Sequence, residues 1–239
     1  MKKIKIKTKI FADGANFDQI VKIKNNKLIK GITTNPSLMR KAGVADYVKF
    51  AKKLTKTIKN KSISLEVFSD ENKEIIKQSI FLSQLASNVY VKIPIVNSKG
   101  HSMIPVIKIL SSKKIKLNIT AIMTFDQVKN VTKVLDKKTN NYISIFAGRI
   151  ADTGRDPIKT MDKSLKHLKK YKKFEVIWAS TREILNIFHA DRIRCHIITV
   201  GYDFLKKLDM IGMNLNKLSK ITSKQFIDDA NKSGYKIDI

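Results

Sequence analysis

Eight short apolar runs punctuate this chain, and helix-like segments separate most of them. That alternation constrains the fold more than any other feature. The runs cover residues 9–13, 31–35, 63–67, 89–94, 116–123, 142–148, 175–180 and 195–200. Segments 46–59, 72–85, 103–110, 124–135 and 159–171, and the short 182–190, carry apolar residues at helical spacing. Strands that alternate with helices point to parallel β/α units, and eight such units can close into a (β/α)8 barrel. An open doubly wound sheet is the competitor, but no glycine-rich phosphate loop follows the first run. The chain has 239 residues, 43% of them hydrophobic. That suits one sizeable α/β core, because barrels of this length are commonly one domain. The expectation is a single barrel domain over residues 1–239, with C-terminal helices (202–208 and 223–233) from about residue 202 onward.

Strand side chains alternate between two faces, so polar residues within the runs can be tested for parity. Asp13 ends the first run. Asn35 follows Thr33 by two, and Glu66 follows Ser64 by two. Lys92 lies near the end of the fourth run. Asn118 and Thr120 are two apart, Ser144 precedes Phe146 by two, and Ser180 precedes Arg182 by two. Neighbours at the opposite parity are mostly apolar, such as Leu65, Val91, Ile93, Leu117, Ile119, Ile143 and Ile145. Seven runs therefore present polar groups on one face, mostly toward their C-terminal ends, where barrel enzymes carry their chemistry. A ring of buried polar groups is costly unless it is hydrogen-bonded and used.

Lys92 sits at the centre of that ring, in Val89-Tyr90-Val91-Lys92-Ile93-Pro94. Burial disfavours a charged ammonium, and the neutral amine attacks carbonyl carbons to form Schiff bases. A lysine that snorkels or pairs with a carboxylate is the bland alternative; the ring of polar groups around Lys92 favours the chemical one.

Composition bounds the rest. Cys195 is the only cysteine, so no disulfide forms within the chain. It opens the eighth run and is expected to be a small buried packing group. A reducing, cytoplasmic setting is the expectation. Residues 1–7 are basic but lack the apolar stretch of a signal peptide. No run approaches the roughly 20 apolar residues that span a bilayer. The four histidines show no metal-ligand spacing, so no metal site is expected. Trp178 shares the parity of Ser180 and could line the interior, although core packing explains it as well. Arg155, after Gly154, reads as a solvated loop residue. Lys plus Arg exceed Asp plus Glu by 48 to 20, a net charge of +28. Such a field steers anions, but the lysines are dispersed and no nucleic-acid motif accompanies them. A nucleic-acid-binding protein built on an inactive barrel is therefore the lesser alternative.

Seven segments, in order, resemble the transaldolase family. They are Phe11-Ala12-Asp13-Gly14-Ala15-Asn16; Gly31-Ile32-Thr33-Thr34-Asn35-Pro36-Ser37-Leu38; Ser64-Leu65-Glu66-Val67; Val91-Lys92-Ile93-Pro94; Leu117-Asn118-Ile119-Thr120-Ala121; Ser144-Ile145-Phe146-Ala147-Gly148-Arg149-Ile150; and Ala179-Ser180-Thr181-Arg182. The resemblance implies a (β/α)8 barrel that transfers a dihydroxyacetone unit between sugar phosphates through a Schiff base, without metal or organic cofactor. It implies catalytic roles for Lys92 as the Schiff-base amine, Asp13 as the base at the hydroxyl beside the breaking bond, and Glu66 as an acid/base working through a water held by Thr120. Asn35, Asn118, Ser144 and Thr33 fall among the donor-binding positions. Arg149 and Arg182, with Ser180 beside them, match the phosphate clamp, and two guanidinium forks suit a phosphate.

The sequence departs from the family pattern at Gly14, Val96, Ala151 and Glu183. Its short length is similar to that of fructose-6-phosphate aldolases, the alternative reading as a lyase. Glu66 and Phe146, where those lyases tend to carry glutamine and tyrosine, favour transfer. Small relatives tend to be homo-oligomers, with the C-terminal helix reaching a neighbour.

Overall fold

The computed structural model describes residues 6–237; the basic N-terminal run before residue 6 lies outside them. In chain order the elements are β1 (Lys9–Asp13), α1 (Phe17–Ile23), β2 (Ile29–Thr33), α2 (Pro36–Lys41), α3 (Tyr47–Thr57), β3 (Ser62–Glu66), α4 (Asn72–Gln84), β4 (Val89–Pro94) and α5 (Ile104–Ser112). They continue as β5 (Leu117–Ile122), α6 (Phe125–Val134), β6 (Asn141–Ile145), α7 (Ala147–Ala151), α8 (Ile158–Leu168), β7 (Phe174–Trp178), α9 (Leu185–Arg192), β8 (Ile197–Gly201) and α10 (Tyr202–Leu205). A 3-10 helix (Lys206–Met210) and α11 (Leu215–Ser233) follow.

The eight strands close in sequence order into a parallel barrel, with β1 pairing β2 on one side and β8 on the other. The chain is a (β/α)8 barrel. Its interior carries an aromatic and aliphatic plug of Phe11, Tyr90, Tyr142, Ile177, Ala179 and Ile197. Tyr90 stacks on Tyr142 at 4.0 Å between ring centroids, and Phe11 meets Tyr142 edge-on at 5.6 Å. Tyr142 also shares a 2.8 Å hydrogen bond with Ser62. Gly31 opposes Phe11 on the neighbouring strand, where a Cβ would lie 2.7 Å from the ring. Glycine is thus what lets the Phe11 ring fill the barrel.

Local rules account for the elements that surround the plug. Asn35, extended and followed by Pro36, caps α2 by accepting from the Leu38 N–H at 2.9 Å. Asp46 caps α3, and Thr124 with Gln127 forms a capping box on α6.

Several sequence expectations shift. The apolar run 142–148 is not all strand: β6 stops at Ile145, and Phe146 turns the chain into α7. Trp178 does not line the barrel. The inward positions of β7 are Ile177 and Ala179, so Trp178 points outward, its ring 6.4 Å from that of His189 on α9. Cys195 lies before β8 rather than opening it. It is buried, and burial pushes its thiol up to about 12.

The chain divides into two compact units, one ending at Leu205 and one running from Lys206. The second holds the 3-10 helix and α11. That helix starts eight residues before the expected 223, because Asn214 caps it by accepting from Lys217 N–H. It ends on Gly234 in the left-handed region. No helix among the described residues is long and apolar enough to cross a membrane.

Asn141, 1% exposed, accepts from Leu117 N–H at 2.9 Å and donates to Thr139 O. It ties the start of β5 to β6. Asn141→Leu strands a buried N–H and is expected to cost about 1–3 kcal/mol, read as a lower midpoint in urea unfolding.

Candidate active site

Register brings the polar residues together. Across β3, β4 and β5, Glu66 is aligned with Lys92 and Lys92 with Asn118. Asp13 is aligned with Thr33 across β1 and β2. Side chains at these positions share the inward face near the C-terminal ends of the strands. Lys92 is 6% exposed. Its Nζ donates to the Thr34 carbonyl at 2.7 Å and lies 3.1 Å from Glu66 Oε2. Both partners sit within the site, so the amine is held at a fixed point beside a carboxylate.

Asp13 and Glu66 occupy different surroundings. Burial raises the Asp13 carboxyl above its ordinary value of 3.8. The Lys92 charge and the Thr33 hydroxyl, which donates to Asp13 Oδ1 at 2.7 Å, pull it back down. Thr33, expected among the donor-binding groups, spends its proton on Asp13. Near Glu66 stands Tyr47, a residue the sequence reading missed. Its hydroxyl donates to the Glu66 carbonyl at 2.9 Å, and burial together with the Glu66 charge pushes that phenol up.

A cavity of about 120 Å3 opens over Lys92 and Asp13, with Thr33 and Thr120 also on its wall; Glu66 is not among its lining residues and meets it through Lys92. Asn35, Asn118, Ser144, Ser180 and Arg149 line it too. Asn35 Oδ1 is committed to its helix cap, so Asn35 offers the cavity its NH2. Asn118 is fixed at both ends: Ser144 Oγ donates to its Oδ1 at 2.6 Å, and its Nδ2 donates to Ser64 Oγ at 2.9 Å. The Thr120 hydroxyl is buried with no hydrogen-bond partner among the described residues. A buried hydroxyl of this kind is what a bound water or substrate oxygen satisfies. The register of β5 slips between Ile119 and Ile122, and Ala121 takes a φ of 57°. This bulge ends the regular ladder just beyond Thr120. Thr199, at an inward position of β8, also lines the cavity. The parity test stopped at the seventh run and missed it, although its spacing from Ile197 carried the signal.

The two arginines part company. Arg149, from α7, lines the cavity and is shared with an outer cleft of about 630 Å3 that includes Arg155 and Lys159. Arg182 is not among the cavity's lining residues. Its guanidinium is bound side-on by Asp152, with Nε to Oδ1 at 3.0 Å and Nη2 to Oδ2. Ser180 reaches the cavity past the end of β7 because its backbone turns left-handed, with a φ of 64°. Among the described residues, no three His, Cys, Asp or Glu side chains are grouped to hold a metal ion.

A closed parallel barrel with a lysine and two carboxylates at its C-terminal mouth defines a class of α/β enzyme. The sequence narrows that class. The family model for Transaldolase/Fructose-6-phosphate aldolase matches residues 10–238. Relatives named "Probable transaldolase" include one from Thermoanaerobacter sp. (strain X514), 30% identical over 96% of this chain and all of its own length. Others come from Clostridium kluyveri, 32% identical over 92% of this chain and 96% of the relative, and Methanococcus maripaludis, 31% identical over 90% and 96%. The chain belongs to the transaldolase/fructose-6-phosphate aldolase family, and with it to the enzymes of aldolase or transferase type. Among solved structures, 3-hexulose-6-phosphate synthase from Salmonella typhimurium shares the fold at a TM-score of 0.55, with 13% identity over 81% of this chain and 89% of that one. KGPDC from Streptococcus mutans does so at 0.53, with 9% identity over 81% and 88%.

The raised Asp13 carboxyl has a consequence for stability. An acid whose folded pKa lies above its unfolded value makes the fold weaker once both states ionise. That penalty is absent below the ordinary 3.8 and complete above the folded pKa. Asp13→Asn is therefore expected to raise Tm at neutral pH, with the gain fading as pH falls toward 3.8. Thermal unfolding at a series of pH values measures this.

Proposed function

We propose that the protein is a transaldolase. It takes a dihydroxyacetone unit from a ketose phosphate, fructose 6-phosphate or sedoheptulose 7-phosphate, and hands it to an aldose phosphate. The observation that carries this reading is the placement of Lys92 Nζ, 3.1 Å from Glu66 and on the wall of a cavity shared with Asp13.

The steps follow from the groups present. Glu66 takes a proton from the Lys92 ammonium, and the freed amine attacks the ketose carbonyl. Collapse of the carbinolamine needs proton delivery to the departing hydroxyl. Glu66 supplies it through a water on Thr120. Asp13 then removes the proton from the hydroxyl beside the breaking carbon–carbon bond. A carboxyl with a raised pKa suits that work, because a base poised nearer neutrality transfers protons in both directions. The iminium takes up the electron pair, leaving an enamine that attacks the second aldehyde. Asn118, locked by Ser64 and Ser144, and Asn35 bind the donor hydroxyls. Arg149 and Arg182 receive the phosphate, with Ser180 beside them. Phe146 packs against the aromatic plug on the cavity wall. It restricts water that would quench the enamine. The wider reading is a homo-oligomer of one barrel domain plus C-terminal helices, serving the pentose phosphate pathway in the cytoplasm.

Fructose 6-phosphate plus borohydride is expected to leave a reduced three-carbon adduct on the Lys92 peptide, located by mass spectrometry. Undiminished labelling in Lys92→Ala would remove Lys92 from the role.

A second measurement separates transfer from lysis. Without erythrose 4-phosphate, dihydroxyacetone release is expected to be slow; release at full rate without an acceptor would identify a lyase. Glu66→Gln is expected to lower kcat about a hundredfold with little change in phosphate affinity.

A further inference from the structure

Asp152 is the C-cap of α7, three residues after Arg149. It grips Arg182 through two parallel N–H···O bonds. A phosphate would use the same planar fork of donors. The backbone of Arg182 is fixed while its head is held aside. Asn186 Oδ1 accepts from Arg182 N–H at 2.9 Å and from Glu183 N–H at 3.3 Å. On the other flank, α7 lies flat on the same loop. A Cβ on Gly148 would fall 1.6 Å from Ser180 O and 3.1 Å from Arg182 Cγ. Only the outer part of the arginine side chain is therefore free to move. Its present position leaves Arg149 as the one arginine, among the described residues, on the wall of the Lys92 cavity.

The grip is cheap to open. The two side chains are 46% and 47% exposed, and ion pairs in water of this kind are worth little. A monoanionic carboxylate on a half-exposed arginine loses to a phosphate dianion, but not to a neutral polyol.

We propose that Asp152 is a specificity-determining residue: an internal counter-anion that occupies Arg182 until a phosphate displaces it. This inference rests on the phosphate role given above to Arg149 and Arg182. Asp152 acts through Arg182 and touches no reacting atom. The exchange weakens phosphate binding by the strength of the pair that must be broken, and so sets how strongly the site prefers a phosphorylated ligand over a neutral one.

The test is calorimetric titration of the whole protein with inorganic phosphate. Asp152→Asn is expected to bind phosphate about fivefold more tightly than the wild type, the range of an exposed ion pair. Asp152→Glu is expected to restore wild-type affinity. In an Arg182→Ala background the gain from Asp152→Asn is expected to vanish. With D-glyceraldehyde 3-phosphate and D-glyceraldehyde compared as acceptors, the ratio of their kcat/KM values is expected to rise about fivefold in Asp152→Asn, through KM for the phosphorylated acceptor. Unchanged or weaker phosphate binding in Asp152→Asn overturns the proposal. So does a gain that persists without Arg182, which would reflect net charge alone. Borohydride trapping on Lys92 in the same variants reports separately on the reaction, so loss of the transaldolase reading leaves the phosphate result interpretable.

Discussion

The contact between the Lys92 ammonium, the Thr34 carbonyl and the Glu66 carboxylate governs the upper half of the barrel. Moving a cation and an anion out of water costs several kcal/mol per ion unless they meet and their remaining hydrogen-bonding capacity is used. Lys92 meets that condition through Thr34 O and Glu66. Glu66 ends β3, which adjoins β4, and Thr34 follows β2 on the far side of β3, so the pair demands the β2–β3–β4 order. A slip of one residue in β4 would turn Lys92 toward the helices and Val91 or Ile93 into the cavity.

Below that pair the barrel is hydrophobic, and above it polar. The change occurs within two residues on β1, β4, β6 and β8: Phe11 to Asp13, Tyr90 to Lys92, Tyr142 to Ser144, Ile197 to Thr199. The aromatic layer gives the site a rigid floor, and the hydrogen-bonded string Ser144–Asn118–Ser64 gives it a rigid wall. Rigidity of this kind holds reacting groups without reorganisation during the reaction. Two of the four non-glycine residues with left-handed backbone among the described residues, Ala121 and Ser180, fall at the same mouth; Lys114 and Arg194 lie before β5 and β8. Strained backbone concentrates at such sites because surrounding packing holds it there.

Much of this was legible before any coordinates. Parallel barrel strands are apolar runs with polar interruptions, so Asp13, Glu66, Lys92, Asn118 and Thr120 could be assigned to one face by counting twos. The reading weakened where the chain leaves the ladder. Gly148 and Phe146 look like the tail of an apolar strand, yet Phe146 turns the chain and Gly148 lets α7 rest on the next loop. Parity carried past the end of β7 linked Trp178 with Ser180. One faces α9, while the other reaches the cavity by a backbone turn that no alternation rule encodes. The Arg182–Asp152 pair spans two loops thirty residues apart, and nothing local joins them. Likewise, the resemblance places Thr33 among the donor-binding positions, but its hydrogen bond to Asp13 is encoded by no spacing.

The aromatic floor also decides traffic. Phe11, Tyr90 and Tyr142 close the barrel beneath Lys92, so whatever enters from the strand C-termini departs by the same doorway. Under the proposed mechanism, a fragment carried on the amine blocks part of that passage. For a two-substrate exchange, the first aldehyde has to clear the opening before its successor can come in. In the transfer proposed above, that single doorway sets the order of events, and the closed floor of Phe11, Tyr90 and Tyr142 is what imposes it.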